Sequence, residues 1–529
     1  MTRALALAAL AIGCLPGADG FSVGSLPCSS RAALQPRTDL RPALLLGLPL
    51  QHRDRRGAGL LSPRATASEG ESTPGGLPPW LLPFLVPALG GALFGYDIGG
   101  SSAVVRIIGE GSTSLGSLDS LSLGILASGS LLGALLGSAA LLGLGDVNLG
   151  RKQELAGAGL LYAAGTAIQA FGQGLPMVLV GRVLYGLGIG ASMHAGPLYI
   201  GEAAPSNLRG QLVSLKEAAI VIGIVGGYAA GATFGGDGGE AWRNVYAVAL
   251  PFEALMLAGS LFAIPESPRW LALRGRPEEA TAALTQAQGI PTAEATQIVS
   301  KMAIADKGAD GAPLSSVSRL FETSGNKKAL TIGIGLVLFQ QLSGQPSVLY
   351  YANRIFEQAG LGFEAAVGVG VFKGVMTLVS VALVENPKFG RRPLLIAGTA
   401  GMTLSLAALA AIFSGGADAA NQAAVIGAVV TYVGCYQIGF GPITWLVLSE
   451  IFPVSIRSAA VSLATLANFG SNLFVTLIFE SERVALGESL LFLQFAFIAA
   501  AAVAFETKLV PETRGLSLEE IEEQINQEL

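Results

Sequence analysis

The chain has 529 residues, 51% of them hydrophobic and 13% charged, with a formal net charge of -5. A soluble domain carries about 25% charged residues, so this chain cannot clothe its surface in polar groups and lipid must be its solvent. A soluble globular protein is excluded, and nothing in the charge suggests nucleic-acid binding; acid gathers in the tail, Glu519-Glu520-Ile521-Glu522-Glu523, which reads as a solvated amphipathic end.

The first 75 residues read as a leader outside the fold. Residues 4–15 form a short apolar core after Arg3, ending near Gly17 to Gly20. That is the pattern of a signal peptide, too short to span a bilayer at about 20 residues. Residues 21–68 carry Ser and seven arginines but only Asp39 and Asp54 as acids, a transit-like composition. Signal followed by transit resembles the bipartite plastid leaders of algae with secondary plastids; the plainer alternative is a secretory signal and a linker. Cys14 and Cys28 fall in this leader, which leaves Cys435 alone and no disulfide framework in the mature chain.

Apolar runs long enough to cross a bilayer fall near 80–108, 118–144, 154–173, 176–200, 211–234 and 244–264, then near 328–352, 365–385, 393–413, 422–448, 458–479 and 488–507. The expected fold class is an all-α membrane protein with twelve transmembrane helices in two six-helix lobes, 76–264 and 328–510. Between them lies a polar loop, 265–327, with helical pieces near Pro277–Ala280 and Ala293–Met302. An acidic tail, 511–529, follows. The 71 glycines suit helices packed through small residues. Basic residues gather after spans 2 and 8 (Arg151, Lys152, Lys388, Arg391, Arg392) and in the central loop. The positive-inside rule puts all of these, and both termini, on one face of the membrane.

Three charged motifs occur twice. Glu202-x-x-Pro205-x-x-x-Arg209 returns 248 positions later as Glu450-x-x-Pro453-x-x-x-Arg457. Gly150-Arg151-Lys152 returns after 240 positions as Gly390-Arg391-Arg392, and Pro265-Glu266-Ser267-Pro268-Arg269 returns loosely after 246 as Pro511-Glu512-Thr513-Arg514. Duplicated parallel sets of spans are the architecture of a two-lobed secondary transporter, with its substrate site between the lobes. Asp97, in Gly95-Tyr96-Asp97-Ile98-Gly99, lies inside the first span, where an acid is costly and marks a functional site by default. Burial disfavours its ionised form and a nearby cation favours it. Arg182 in span 4 is the available partner, and a structural pair that stays ionised throughout is the competing reading. His194, near the end of span 4, reads as a packed polar residue.

These motifs, with Pro265-Glu-Ser-Pro-Arg-Trp-Leu271 and Gln340-Gln341-Leu342-Ser343-Gly344, make the chain resemble the sugar porters of the major facilitator superfamily over about residues 80–525. The run Gln340 to Tyr351 is more similar to the plant xylose–proton-symporter-like and vacuolar glucose transporters than to the animal glucose facilitators. The resemblance implies alternating access, a monosaccharide and a proton as cargo, a monomer in the bilayer, no cofactor and no enzymatic reaction; no nucleophile–base set, metal cluster or phosphate loop is visible. It implies that Asp97 and Arg182 couple the proton, since passive facilitators carry Asn at the acid's position. A passive uniporter and a sugar sensor are the alternatives.

For the sugar, recognition needs groups that donate and accept, with an aromatic wall. The family motif assigns Gln340 and Gln341 of span 7, and points to Trp445 and Tyr436 of span 10 with Gln437 beside them. Asn468 and Asn472 of span 11 are four apart and share a helix face. Interhelical glue is the alternative role for these amides. Three departures stand out: Gln345-Pro346 replaces Ile-Asn and predicts a bend in span 7, Glu217 stands where many members have Gln, and Lys373 where many have Asn. Two lone buried charges are costly and a pair is tolerable, so Glu217 and Lys373 are expected to pair across the cavity and contact the sugar; the alternatives are that Lys373 snorkels or that Glu217 pairs with Lys216 in water. At the loop face, Glu202, Arg209, Arg151, Lys152, Glu450, Arg457, Glu385, Arg391 and Arg392 are expected to form a gating network. The acids Asp146 and Glu385 lie four and five residues before their Gly-Arg motifs rather than the family's three.

Overall fold

The computed structural model describes residues 77–109, 113–144, 149–205, 208–235, 239–306, 320–358, 362–385, 388–415, 421–453, 456–514 and 518–527. The expected leader and Asp146 lie outside the described residues. Everything described is helix or short connection. The N-terminal lobe holds span 1 (Leu81–Gly109), span 2 (Ser120–Leu144), span 3 (Arg151–Phe171), span 4 (Leu175–Ala203), span 5 (Arg209–Phe234) and span 6, which runs through Ala241–Ala247, Leu250–Ala258 and a π-turn at Gly259–Ala263. The C-terminal lobe holds span 7 (Ser324–Leu342, resumed as Gln345–Tyr350 and Ala352–Gln358), span 8 (Phe363–Glu385), span 9 (Arg391–Ile412) and span 10 (Gln422–Ile438 and Phe440–Ile451). Spans 11 and 12 form one helical stretch, Arg457–Leu509, which turns at Gly487 (φ 75°).

Among the described residues nine helical stretches are long and apolar enough to cross a bilayer. The last of these contains two spans, and spans 3 and 7, more polar, bring the total to twelve. The fold is the expected two-lobed one.

Span 7 departs from an even helix. The bend predicted at Pro346 is a full break two residues earlier: Ser343 ends one helix, and Gly344 has φ +89°, a conformation L side chains rarely adopt. Pro346 then sits in the first turn of the new helix, where its missing N–H costs nothing. The second half, 345–358, faces the other lobe.

Within each lobe the helices approach through small residues, as helices must when lipid offers no hydrophobic drive between them. Spans 1 and 5 come so close that a Cβ on Gly95 would meet the Ile220 carbonyl, and one on Gly223 the Ala92 carbonyl. Between the lobes, contacts gather in the half of the membrane away from the central loop. Ser102 Oγ accepts from the Asn353 backbone N–H (3.0 Å) and from its Nδ2 (3.2 Å). The Tyr228 hydroxyl donates to the Leu349 carbonyl at 2.8 Å, and Arg106 meets Glu357 at 3.4 Å while lying 4.2 Å over the Phe363 ring. Phe94 and Phe469 touch edge-on deeper in, with centroids 6.2 Å apart. The lobes are thus closed on the far side and parted toward the loop face, where Glu217 stands exposed.

The described part of the central loop folds into three helices, Pro268–Leu273, Pro277–Gln288 and Thr292–Asp306, around Leu271, Leu284 and Val299. Gln288 Nε2 ties them to span 4 by donating to the Ala203 and Ala204 carbonyls, both at 3.1 Å. The acidic tail differs from the solvated end its charge suggests. It forms a helix, Leu518–Gln527, with Ile521 and Ile525 buried against spans 7 and 10. Ile521 and Ile525, four apart on a helix that is polar apart from them and Leu518, make a stripe narrow enough to dock without making the segment apolar.

The close approach of spans 1 and 5 sets a stability prediction. Gly95→Val should cost ~1–3 kcal/mol through overpacking. Gly157→Val, whose Cβ would meet nothing within 4 Å, should stay within ~0.5 kcal/mol of wild type. Thermal unfolding of the two variants in detergent measures the difference.

Candidate functional site

Asp97 and Arg182 are 85 positions apart in sequence and in direct contact. Span 1 carries Asp97 toward span 4, and Arg182 Nη1 donates to Asp97 Oδ1 at 2.7 Å. Both side chains are shut from solvent, Arg182 wholly. Ser130 of span 2 donates to Asp97 Oδ2 at 2.5 Å and accepts from Arg182 Nη2 at 2.9 Å. Arg182 Nη2 also donates to the Ala127 carbonyl at 2.8 Å. The Tyr350 hydroxyl, from the opposite lobe, is buried beside Asp97 and Ser130. An ion pair is tolerated in lipid only when its remaining hydrogen-bonding capacity is met; here one serine hydroxyl bridges both partners.

A second acid lies behind this pair. Glu253 of span 6 is fully buried, accepts from Thr166 of span 3 at 2.6 Å, and has no hydrogen-bond partner for Oε2. It is within electrostatic reach of Tyr96, Tyr162 and Tyr185. The hydroxyls of Tyr162 and Tyr185 donate to the Gly90 and Leu93 carbonyls of span 1 at 3.2 and 2.7 Å. The C-terminal lobe repeats the motif: Thr399 of span 9 donates to Glu506 of span 12 at 2.9 Å, and Glu506 Oε2 has no partner. Sequence reading missed both acids, though each falls inside a predicted apolar run and meets the rule that singled out Asp97. Ser130 and Thr166 carry no such signal, because hydroxyls are common in these helices.

The C-terminal lobe supplies the predicted sugar residues. Gln340 Nε2 donates to the Phe440 carbonyl at 2.8 Å, and Gln341 Nε2 to Asn468 Oδ1. The Oε1 atoms of both glutamines are buried without a partner. Asn472 accepts from Thr476 at 3.2 Å. Trp445 is half-buried against the core, and Tyr436 is buried beneath Lys373, whose Nζ stands 4.9 Å above its ring. The ion pair between Glu217 and Lys373 is not formed in this state. Lys373 Nζ donates instead to Gln437 Oε1 at 2.7 Å, and Glu217 is exposed in the opposite lobe, within electrostatic reach of Lys373 and Tyr436. Parting of the lobes toward the loop face accounts for the separation.

The loop-face charges pair differently from the order of their motifs. Glu202 meets Arg151 at 3.7 Å and accepts from Ser267 at 2.5 Å, while Arg209 is exposed. Glu450 meets Arg391 at 3.2 Å, and Arg457 donates to the Phe452 carbonyl at 3.0 and 3.1 Å. Glu266 accepts from the Lys152 backbone N–H at 3.0 Å, and Glu512 from those of Arg391 (2.9 Å) and Arg392 (3.2 Å), capping the starts of spans 3 and 9. All of these contacts stay inside one lobe. Glu385 ends span 8, and its side chain lies outside the described residues. His194, predicted to be packed, bonds through Nδ1 to the buried Glu154 at 2.7 Å.

Twelve spans in two lobes, with a buried acid–base pair in one and unpaired amide oxygens in the other, define a secondary transporter of the major facilitator type. Residues 84–525 match the family described as Sugar (and other) transporter, and the chain belongs to that family. It is 46% identical over 476 residues to the D-xylose-proton symporter-like 3, chloroplastic, of Arabidopsis thaliana, covering 84% of this chain and 82% of the relative. Among solved structures it is similar to the inward open conformation of the xylose transporter XylE from E. coli. The TM-score is 0.71 at 29% identity, over 83% of this chain and 98% of the other. The proton:xylose symporter XylE bound to 6-bromo-6-deoxy-D-glucose superposes less closely, with TM-score 0.65 at 28% identity over 84% and 98% of the two chains. That order agrees with lobes parted on the loop side.

The pairing in the N-terminal lobe sets a second prediction. Arg182→Met strands a buried carboxylate and should cost ~3–5 kcal/mol. Adding Asp97→Asn to it should recover most of that loss, as read by thermal unfolding of the single and double variants.

Proposed function

We propose that this chain carries a monosaccharide of the glucose or xylose type together with a proton, by alternating access of a site between its two lobes. The observation that carries the reading is the Asp97–Arg182 pair, buried together at 2.7 Å in the first lobe and facing Tyr350 of the second. An acid held by a cation on one side of a moving interface is loaded or unloaded as that interface opens and closes. In the sugar site Gln340 and Gln341 accept through their unpaired oxygens, Asn468 and Asn472 extend the row, and Tyr436 and Trp445 wall the apolar face. Closure toward the loop face brings Glu217 to Lys373 around the bound sugar. The two clusters, Arg151–Glu202 with Lys152 and Arg209, and Arg391–Glu450 with Arg392, Arg457 and Glu385, then meet across the lobes and exchange partners, as a latch of contacts each worth ~0–1 kcal/mol. The protein works as a monomer. The bipartite leader and the chloroplastic relative together favour a plastid envelope.

Reconstitution into liposomes tests coupling. Labelled glucose or xylose should exchange by counterflow, and an imposed pH gradient should drive its accumulation. Asp97→Asn keeps an acceptor oxygen for Arg182 but cannot carry a proton. It should preserve counterflow and lower gradient-driven accumulation at least about tenfold. Undiminished accumulation in this variant would show that coupling bypasses Asp97; counterflow without accumulation in wild type would make the protein a passive uniporter.

A further inference from the structure

Lys373 is held by a closed ring of hydrogen bonds. Its Nζ donates to Gln437 Oε1 (2.7 Å), Gln437 Nε2 donates to Thr377 Oγ1 (2.7 Å), and Thr377 Oγ1 donates to the Lys373 carbonyl (2.9 Å). All three residues are buried, and the ammonium sits 4.9 Å above the Tyr436 ring. Gln437 is therefore less a sugar ligand than a bracket. Its oxygen is taken by the ammonium and its nitrogen by Thr377, so the group left to meet the cavity is Nζ, with two of its three N–H donors unused. An ammonium donates only, and a carboxylate accepts only, whereas the amides usual in such a site do both. The same lobe also offers acceptors, since the buried Oε1 atoms of Gln340 and Gln341 have no partner. Across the cavity Glu217 adds another, exposed and within electrostatic reach of Lys373.

We propose that Lys373 fixes the hydrogen-bond polarity with which the substrate is read: the sugar hydroxyl that meets Nζ serves as an acceptor alone, while those that meet Gln340, Gln341 and Glu217 serve as donors. This rests on the sugar-porter reading above. It makes Lys373 a specificity determinant, because its single-sense contact separates substrates that two-way amides treat alike. Fluorine in place of a hydroxyl still accepts, weakly, but cannot donate; hydrogen does neither. At the ring position facing Lys373, the fluoro-deoxy sugar should therefore bind much better than the deoxy sugar. At positions facing the acceptors, both should bind poorly.

The test is competition against counterflow of labelled sugar by the full set of singly deoxy and singly fluoro-deoxy derivatives, whichever of glucose or xylose is carried. In wild type, one ring position should show a deoxy analogue weakened at least about tenfold with its fluoro counterpart within about threefold. At least one other position should show both weakened about equally. Lys373→Met, which keeps the length of the side chain but has no N–H donor, should erase the difference at the first position and leave the second unchanged. Equal treatment of deoxy and fluoro analogues at every position in wild type overturns the proposal, whatever the variant does. So does a difference that persists in Lys373→Met. Sugar counterflow that is present but without polarity defeats this inference alone; no counterflow of any sugar defeats the transport reading and this inference together.

Discussion

A guanidinium wholly removed from solvent inside a lipid-embedded helix bundle is the constraint around which the N-terminal lobe is arranged. Arg182 cannot lose its charge and cannot reach water, so the lobe must bring it acceptors. It does so from two helices, with Asp97 of span 1 and with Ser130 and the Ala127 carbonyl of span 2, all gathered on span 4. Those helices can converge only because they are lined with glycine. Gly129 lies against the Arg182 stem, and Gly133 and Gly186 let spans 2 and 4 come nearly backbone to backbone. The composition that marks the chain as a membrane protein is thus also what allows a charge to be placed in it.

The two lobes share an ancestry in sequence and have divided their labour in structure. Both keep a threonine-bound acid in span 6 or 12, and both cap the starts of spans 3 and 9 with the acid of a Pro-Glu motif. Only the first lobe holds the Asp–Arg pair. The second presents the paired glutamines Gln340 and Gln341 with unpaired oxygens, and the ammonium of Lys373. The buried ion pair and the paired glutamines therefore sit in opposite lobes, on either side of an interface where Tyr350 stands beside Asp97.

Much of this was legible in the sequence because the bilayer imposes a simple grammar. Length and apolarity locate the spans, duplicated motifs give the two lobes, and the cost of charge in lipid picks out Asp97 and Arg182. The same grammar would have found Glu253 and Glu506 had it been applied to every span. What it could not give is pairing. Glu202 and Arg209 are neighbours in a motif, yet Glu202 meets Arg151 from the neighbouring span and Arg209 turns away, because seven residues that leave one helix and enter the next do not fix side-chain direction. The partner of Lys373 was likewise misjudged for this state: charge complementarity named Glu217, while the amide one helix away, Gln437, was nearer. The tail is the amphipathic end its sequence suggests, with Glu520 and Glu523 exposed, but its apolar side, Ile521 and Ile525, is docked rather than solvated.

The interruption of span 7 at Gly344 bears on how such a machine deforms. Its first half packs within its own lobe, against spans 10 and 12, whereas the piece beyond the glycine is held by both lobes, by the first through Asn353, Leu349 and Glu357 and by span 11 of its own through Ser347, Tyr351 and Arg354. A continuous rod so anchored would have to drag both halves of the molecule together or tear loose from one. A severed one gives the protein a short articulated shutter, able to swing on a single residue while the bulk of either bundle holds its shape. The opening of the far side then becomes a local event with its own energetics, separable from the larger swing that parts the loop face.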